Sequence, residues 1–101
     1  MSKYIDPIEV ASENYELLSQ EGNVRVVKMC LRPGEIDNEH SHPHETVYFI
    51  NGGKLRIHVE GEAAMEADIP DGHVMHHGPW THRVENVGDT TVNAIIFELT
   101  H

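Results

Sequence analysis

A single cysteine, Cys30, leaves the 101-residue chain without the means to form an internal disulfide. It sits in the alternating run VRVVKMCL and reads as a small buried hydrophobe. No apolar run approaches the ~20 residues that cross a bilayer. The opening MSKYIDPIEV has no apolar stretch of a secretory leader. Positive charge is scarce too. Seven basic residues against 17 acidic ones give a formal net charge of -10, which repels phosphate backbones and argues against a nucleic-acid partner. Phosphate loop, nucleophile elbow and dinucleotide fingerprint are all missing, as are tandem repeats and low-complexity tracts. The expectation is a cytoplasmic protein with no membrane partner and one core. Residues 1–14 would form an N-terminal arm with a turn at Asp6-Pro7, and residues 15–101 a single domain.

What is present is short strand patterns with regular punctuation. Strands are expected over 15–19, 24–31, 46–50, 54–60, 63–69, 74–77, 82–86 and 91–99, separated by Gly, Pro and Asn turns. The run 63–69 contains EAAMEA, helical on propensity, but its strand neighbours decide for a strand. Strand 24–31 is apolar on both faces, with Val24, Val26 and Cys30 on one and Val27, Met29 and Leu31 on the other. That suits a sandwich interior or a subunit interface. The fold class is therefore all-β, a sandwich or barrel.

Histidine is the abundant chemistry, with nine in the chain. In GEIDNEHSHPHETVYFINGG, residues 34–53, His40, His42 and His44 alternate ahead of an apolar strand-like run. Residues i and i+2 of a strand share a face about 7 Å apart, so two such imidazoles can converge on one metal ion. His82 follows in a second cluster, beside Gly78-Pro79 and Trp80.

These two stretches resemble the motifs of the cupins, a family of small double-stranded β-helix (jelly-roll) barrels. The family's first motif is Gly, five residues, His-x-His, three or four residues, Glu, six residues, Gly. Gly34, His40-Ser41-His42 and Gly53 match it here. The second motif begins at Gly72 and ends in His82-Arg83-Val84-Glu85-Asn86, with Gly78-Pro79-Trp80 where Pro-x-Gly is usual and one residue fewer before the histidine. The resemblance spans residues 24–99. It implies a divalent metal (Fe, Zn, Ni, Cu or Mn) held by His40, His42 and His82. The glutamate of the first motif departs from the pattern. Counting back from Gly53, and strand parity with residues 40 and 42, both put Thr46 in its place. The favoured reading is thus a three-histidine centre with Thr46 facing it. A bulge at Pro43, or counting from Gly52, would instead select Glu45.

His44, His76 and Tyr48 are the further candidates for catalytic or ligand-contacting groups. His44 shares parity with His40 and His42, His76 could face the cavity, and Tyr48 follows Thr46 on one face. Trp80 is a candidate pocket wall or core residue. The resemblance implies a metal-dependent enzyme on a small carbonyl, diketone or thiol substrate, dioxygenase-like, with isomerase or lyase chemistry also open. The alternative is a non-catalytic small-molecule-binding cupin with a structural or absent metal. A homodimer is expected, paired through strand 24–31 and the N-terminal arm.

Overall fold

The computed structural model describes residues 4–100. In chain order it has α1 (Pro7–Val10), β1 (Tyr15–Glu21), β2 (Val24–Leu31), β3 (His40–His42), β4 (His44–Asn51) and β5 (Gly53–His58). β6 (Met65–Ile69), β7 (Val74–His77), β8 (Trp80–Asn86) and β9 (Val92–Leu99) follow. Strand pairing is antiparallel throughout. One sheet runs β1-β2-β9-β4-β7 and the other β3-β8-β5-β6. The strand pattern indicates an all-β sandwich or barrel, and the structure is the jelly-roll barrel that the family resemblance implies. No helix of the described residues is long and apolar enough to cross a membrane.

Alternation decides which residues fill the barrel. Val27, Ile96 and Val47 are register partners across β2, β9 and β4, and Met29, Ala94 and Phe49 form the next layer. All six are buried, and Leu55 and Val84 meet them from the second sheet. β2 is not buried on both faces: Val27, Met29 and Leu31 point inward, whereas Val24 is exposed and Val26 and Cys30 are half-buried. β6 is a strand despite its helical composition, because its edge pairs with β5.

The N-terminal segment folds onto the barrel. Asp6 caps α1 by accepting a hydrogen bond from the Ile8 amide at 3.0 Å, and Pro7 takes the first helical turn, where a missing N–H costs nothing. The backbone of Ile5 then pairs with Ser41 in β3, Ser41 N donating to Ile5 O at 2.6 Å. The opposite edge of the site is set by Gly52. A Cβ there would lie 1.9 Å from the Ile69 carbonyl oxygen, so only glycine lets the β4–β5 connection pass β6. Gly52→Ala is expected to cost about 3 kcal/mol or more by overpacking against backbone. Urea denaturation of the variant checks this, with Gly61→Ala, which meets no neighbouring atom but has positive φ, as the comparison for strain alone.

Candidate metal centre

The two histidine clusters meet through strand register. β3 and β8 pair antiparallel with His40 opposite His82. Cross-strand partners hold their Cβ atoms about 5 Å apart. His42, two residues along β3, shares the face of His40. One nitrogen from each of His40, His42 and His82 lies within 4.8 Å of the others, and all three side chains are buried. The structure thus brings together the three histidines of both motifs.

The glutamate question is resolved by a change of sheet. β3 belongs to the sheet of β8, β4 to the sheet of β9, and the chain crosses between them at Pro43. The crossing resets parity. On β4 the buried residues are Glu45, Val47 and Phe49, while His44, Thr46 and Tyr48 face outward. The expectation of Thr46 at the centre is therefore corrected to Glu45. Thr46 Oγ1 instead sits 3.0 Å from His76 Nδ1 on the outer face. In this chain the first motif reads His-x-His, two residues, Glu, six residues, Gly52, and the steric demand at Gly52 agrees with that count.

The remaining candidates lie away from the trio. His76 pairs in register with Thr46, and Val74 with Tyr48, so His76 and Tyr48 share the exposed outer face. His44 is exposed and lines an open groove on that side with His76 and His77. The expectation that His76 faces the cavity is corrected for the same parity reason. Trp80 does wall the site: its Nε1–H donates to Glu45 Oε2 at 2.5 Å, its ring lies 4.1 Å from that of His82, and His77 stacks on it at 3.5 Å.

Hydrogen bonds fix how two of the histidines present themselves. His40 Nδ1 lies 2.7 Å from the Asn38 carbonyl and donates to it. His42 Nδ1 lies 2.5 Å from Glu98 Oε2. Each ring then turns its Nε2 lone pair the other way. Tyr15, its ring tilted against His40 at 4.7 Å, donates its hydroxyl to Asp37 at 2.7 Å. His40 Nε2 and both ring nitrogens of His82 are buried with no hydrogen-bond partner among the described residues. Buried nitrogens in such a position ask for an unseen partner. Three imidazoles with a carboxylate beside them are the donor set of a divalent transition metal, so the residues fit that ion.

Two charged residues were missed on the sequence, the acid Glu98 and its cationic partner Arg25. Both follow from alternation: Glu98 continues the inward series Val92, Ala94, Ile96, and Arg25 shares parity with Val27, Met29 and Leu31. In register, Arg25, Glu98 and Glu45 form one row across β2, β9 and β4. Burial pushes Glu45 up to about 7, the Trp80 hydrogen bond opposing and Glu98 adding to the shift. Burial also raises Glu98 to about 7 against the pull of Arg25. Burial, with His40 and Arg25 nearby, lowers His42 to about 3, and burial with His40 and His42 lowers His82 further. His42 and His82 are therefore neutral at pH 7, the form in which imidazole ligates a metal.

The centre opens two ways. Inward, His42, Glu45 and His82 end an apolar cavity of about 50 Å³ walled by Val47, Phe49 and Ile96. Outward, His42 and Trp80 line an open groove of about 770 Å³ with Tyr4, Glu39 and Thr81.

A jelly-roll barrel with a buried histidine trio is the architecture of a small cupin. Residues 27–98 match the family model for the cupin domain, and the chain belongs to that family. No curated protein matches it. Among solved structures it is similar to a cupin domain from Bordetella pertussis Tohama I, at 18% identity and TM-score 0.79 over 100% of each chain. A cupin family protein with a double-stranded β-helix fold from Methanocaldococcus jannaschii is 15% identical at TM-score 0.68, covering 86% of this chain and 79% of that one. An oxalate oxidase in complex with glycolate is 19% identical at TM-score 0.59, covering 77% and 42%. At these identities the likeness is one of fold.

The opposed shifts give the metal-free protein a defined pH profile. His42 and His82 have depressed folded pKa values, so their contribution is complete above about 6.5 and is lost as pH falls toward 3. Glu45 and Glu98 have raised values, so theirs is complete below about 4.5 and is lost as pH rises through 7. Between 4.5 and 6.5 the slopes oppose each other. Thermal melts of chelator-treated protein are expected to show a stability plateau there, falling on both sides. A melting temperature that climbs steadily from pH 5 to 8 would contradict these assignments.

Proposed function

We propose that this cupin is a metal-dependent enzyme acting on a small carbonyl, diketone or thiol substrate, dioxygenase-like in type. The observation that carries the reading is the convergence of His40 Nε2 and the His82 nitrogens, buried and without a partner among the described residues, beside His42 and Glu45. His40, His42 and His82 would hold the ion, with Glu45 the adjacent carboxylate. A divalent metal bound there supplies polarisation of a carbonyl or acidification of a water. The chain's own residues do the rest. Trp80 fixes the Glu45 carboxylate through its N–H. The groove beside His42 admits substrate from solvent, and the apolar cavity behind the trio excludes all but a small group.

One observation favours the second reading, a non-catalytic binding module with the metal as anchor. The inner cavity of about 50 Å³ has room for only a few atoms, so a ligand would stay largely in the groove. The fold itself leaves the choice open. A cytoplasmic location belongs to the proposal and follows the reading of the sequence.

Elemental mass spectrometry on tag-free protein tests the metal. Near-stoichiometric metal is expected in wild type and its loss in His82→Ala. Wild type that stays empty after reconstitution above pH 7 would sink the reading. Oxygen uptake on a panel of diketones and thiols then separates the two functions: turnover supports the enzyme, and metal-loaded protein inert across the panel supports the binding module.

The homodimer is proposed to use the outer face of the five-stranded sheet. Val24, Tyr48, Val74, Phe97 and Leu99 are exposed large apolar groups on that one face. A patch of this kind invites cover, and a two-fold-related copy covers it with itself. Light scattering at micromolar concentration is expected to give about twice the 11.4 kDa chain mass, falling to one chain mass in Phe97→Glu. A wild-type monomer would refute the interface.

A further inference from the structure

Glu98 is fully buried, with no exposed surface. Its Oε2 lies 2.5 Å from His42 Nδ1, within hydrogen-bond distance. Its Oε1 lies 3.3 Å from Arg25 Nε, a charge contact out of hydrogen-bond alignment, since neither atom has a hydrogen-bond partner among the described residues. Arg25 turns the other edge of its guanidinium to Asp6, Nη1 and Nη2 donating to the two carboxylate oxygens at 3.1 and 2.9 Å. Asp6 is also the cap of α1. A continuous chain, Asp6–Arg25–Glu98–His42, therefore links the N-terminal segment to a histidine of the metal centre.

We propose that Glu98 is a positioning residue of the metal centre, and that the Arg25–Asp6 clamp makes the segment around α1 a working part of that centre. The inference rests on the metal-binding reading above. A carboxylate that accepts from Nδ1–H fixes the tautomer and ring angle of a ligating histidine and raises its basicity. His42 alone among the three has a carboxylate at this distance. His40 donates to a neutral carbonyl, and Asp37 stands 3.8 Å from its Nδ1. Neither nitrogen of His82 has a hydrogen-bond partner among the described residues. Glu98 cannot hold its place unaided. Buried beside Glu45, its register partner on β4, it needs a countercharge. Arg25 supplies that charge. The two-point bond to Asp6 keeps the guanidinium from swinging away, since planar carboxylate–guanidinium pairs fix direction as well as charge. Asp6 in turn is held where α1 docks, by the Ile5–Ser41 backbone pair and by Asn38 Nδ2 donating to Val10 O at 2.7 Å.

A purely structural role for this ion chain would change folding stability and leave metal affinity alone. Full-length wild type, Glu98→Gln and Asp6→Asn separate the two. Co(II) is the probe, its affinity measured by chelator competition and its coordination by the visible ligand-field spectrum. Circular dichroism melts of the metal-free proteins serve as the folding control. Glu98→Gln is expected to weaken Co(II) by about 10- to 100-fold and to shift the ligand-field bands. Asp6→Asn, a change at the partly exposed end of the chain, is expected to act in the same direction by a smaller factor. It carries the test if Glu98→Gln does not fold. Folded variants that bind Co(II) within twofold of wild type, with unchanged bands, would overturn the proposal. Wild type that binds no Co(II) overturns the metal reading instead. A metal-free arm stands apart from both: nitrogen NMR of His42 should report the Nδ1–H tautomer in wild type and a mixture in Glu98→Ala. A mixture already in wild type counts against Glu98 as the positioning group.

Discussion

Two carboxylates, Glu45 and Glu98, are opposed across β4 and β9 inside the barrel, and the residues around the histidine trio are those required to make that pair tolerable. Like charges facing each other in a low dielectric must be protonated, paired or both. Here each acid is met from a different element: Glu45 by the Trp80 indole of β8, Glu98 by His42 of β3 and Arg25 of β2. The adjoining layers, Val27–Ile96–Val47 and Met29–Ala94–Phe49, carry no polar side chain. The barrel is thus divided along its axis. Apolar layers supply the burial that drives folding, and one polar layer at the end supplies the chemistry.

The site stands on strands, not loops. His40 and His82 are direct register partners, and Glu45 occupies the row shared with Glu98. Register is fixed wherever one face is buried, because a slip of one residue would turn the apolar series to solvent. The positions of the histidines and of Glu45 are therefore specified by the same pattern that specifies the core.

The strand series and the histidine trio could be read from the chain because both depend on local periodicity. β2 and β7 have the bounds that alternation indicates, and β6 differs only at its start. Parity failed at Pro43, where the chain leaves one sheet for the other. Which sheet a strand joins is a long-range fact, invisible in a run of eight residues, so Thr46 and Glu45 exchanged faces. Tyr48 and His76 followed the same error outward. Glu98 and Arg25 were legible in principle. Both continue inward-facing apolar series, and were passed over because a charged residue at the end of such a series looks like the start of solvent. Asp6 was not legible, since its contact with Arg25 depends on where α1 docks.

Trp80 is the only tryptophan of the chain. Its N–H is engaged by Glu45, and its ring lies against the imidazoles of His77 and His82. All indole emission from this protein therefore originates within van der Waals reach of the histidine centre. The molecule carries its own optical reporter: whatever reorganises Glu45 or His82 alters the brightness and colour of a single fluorophore, with no label attached.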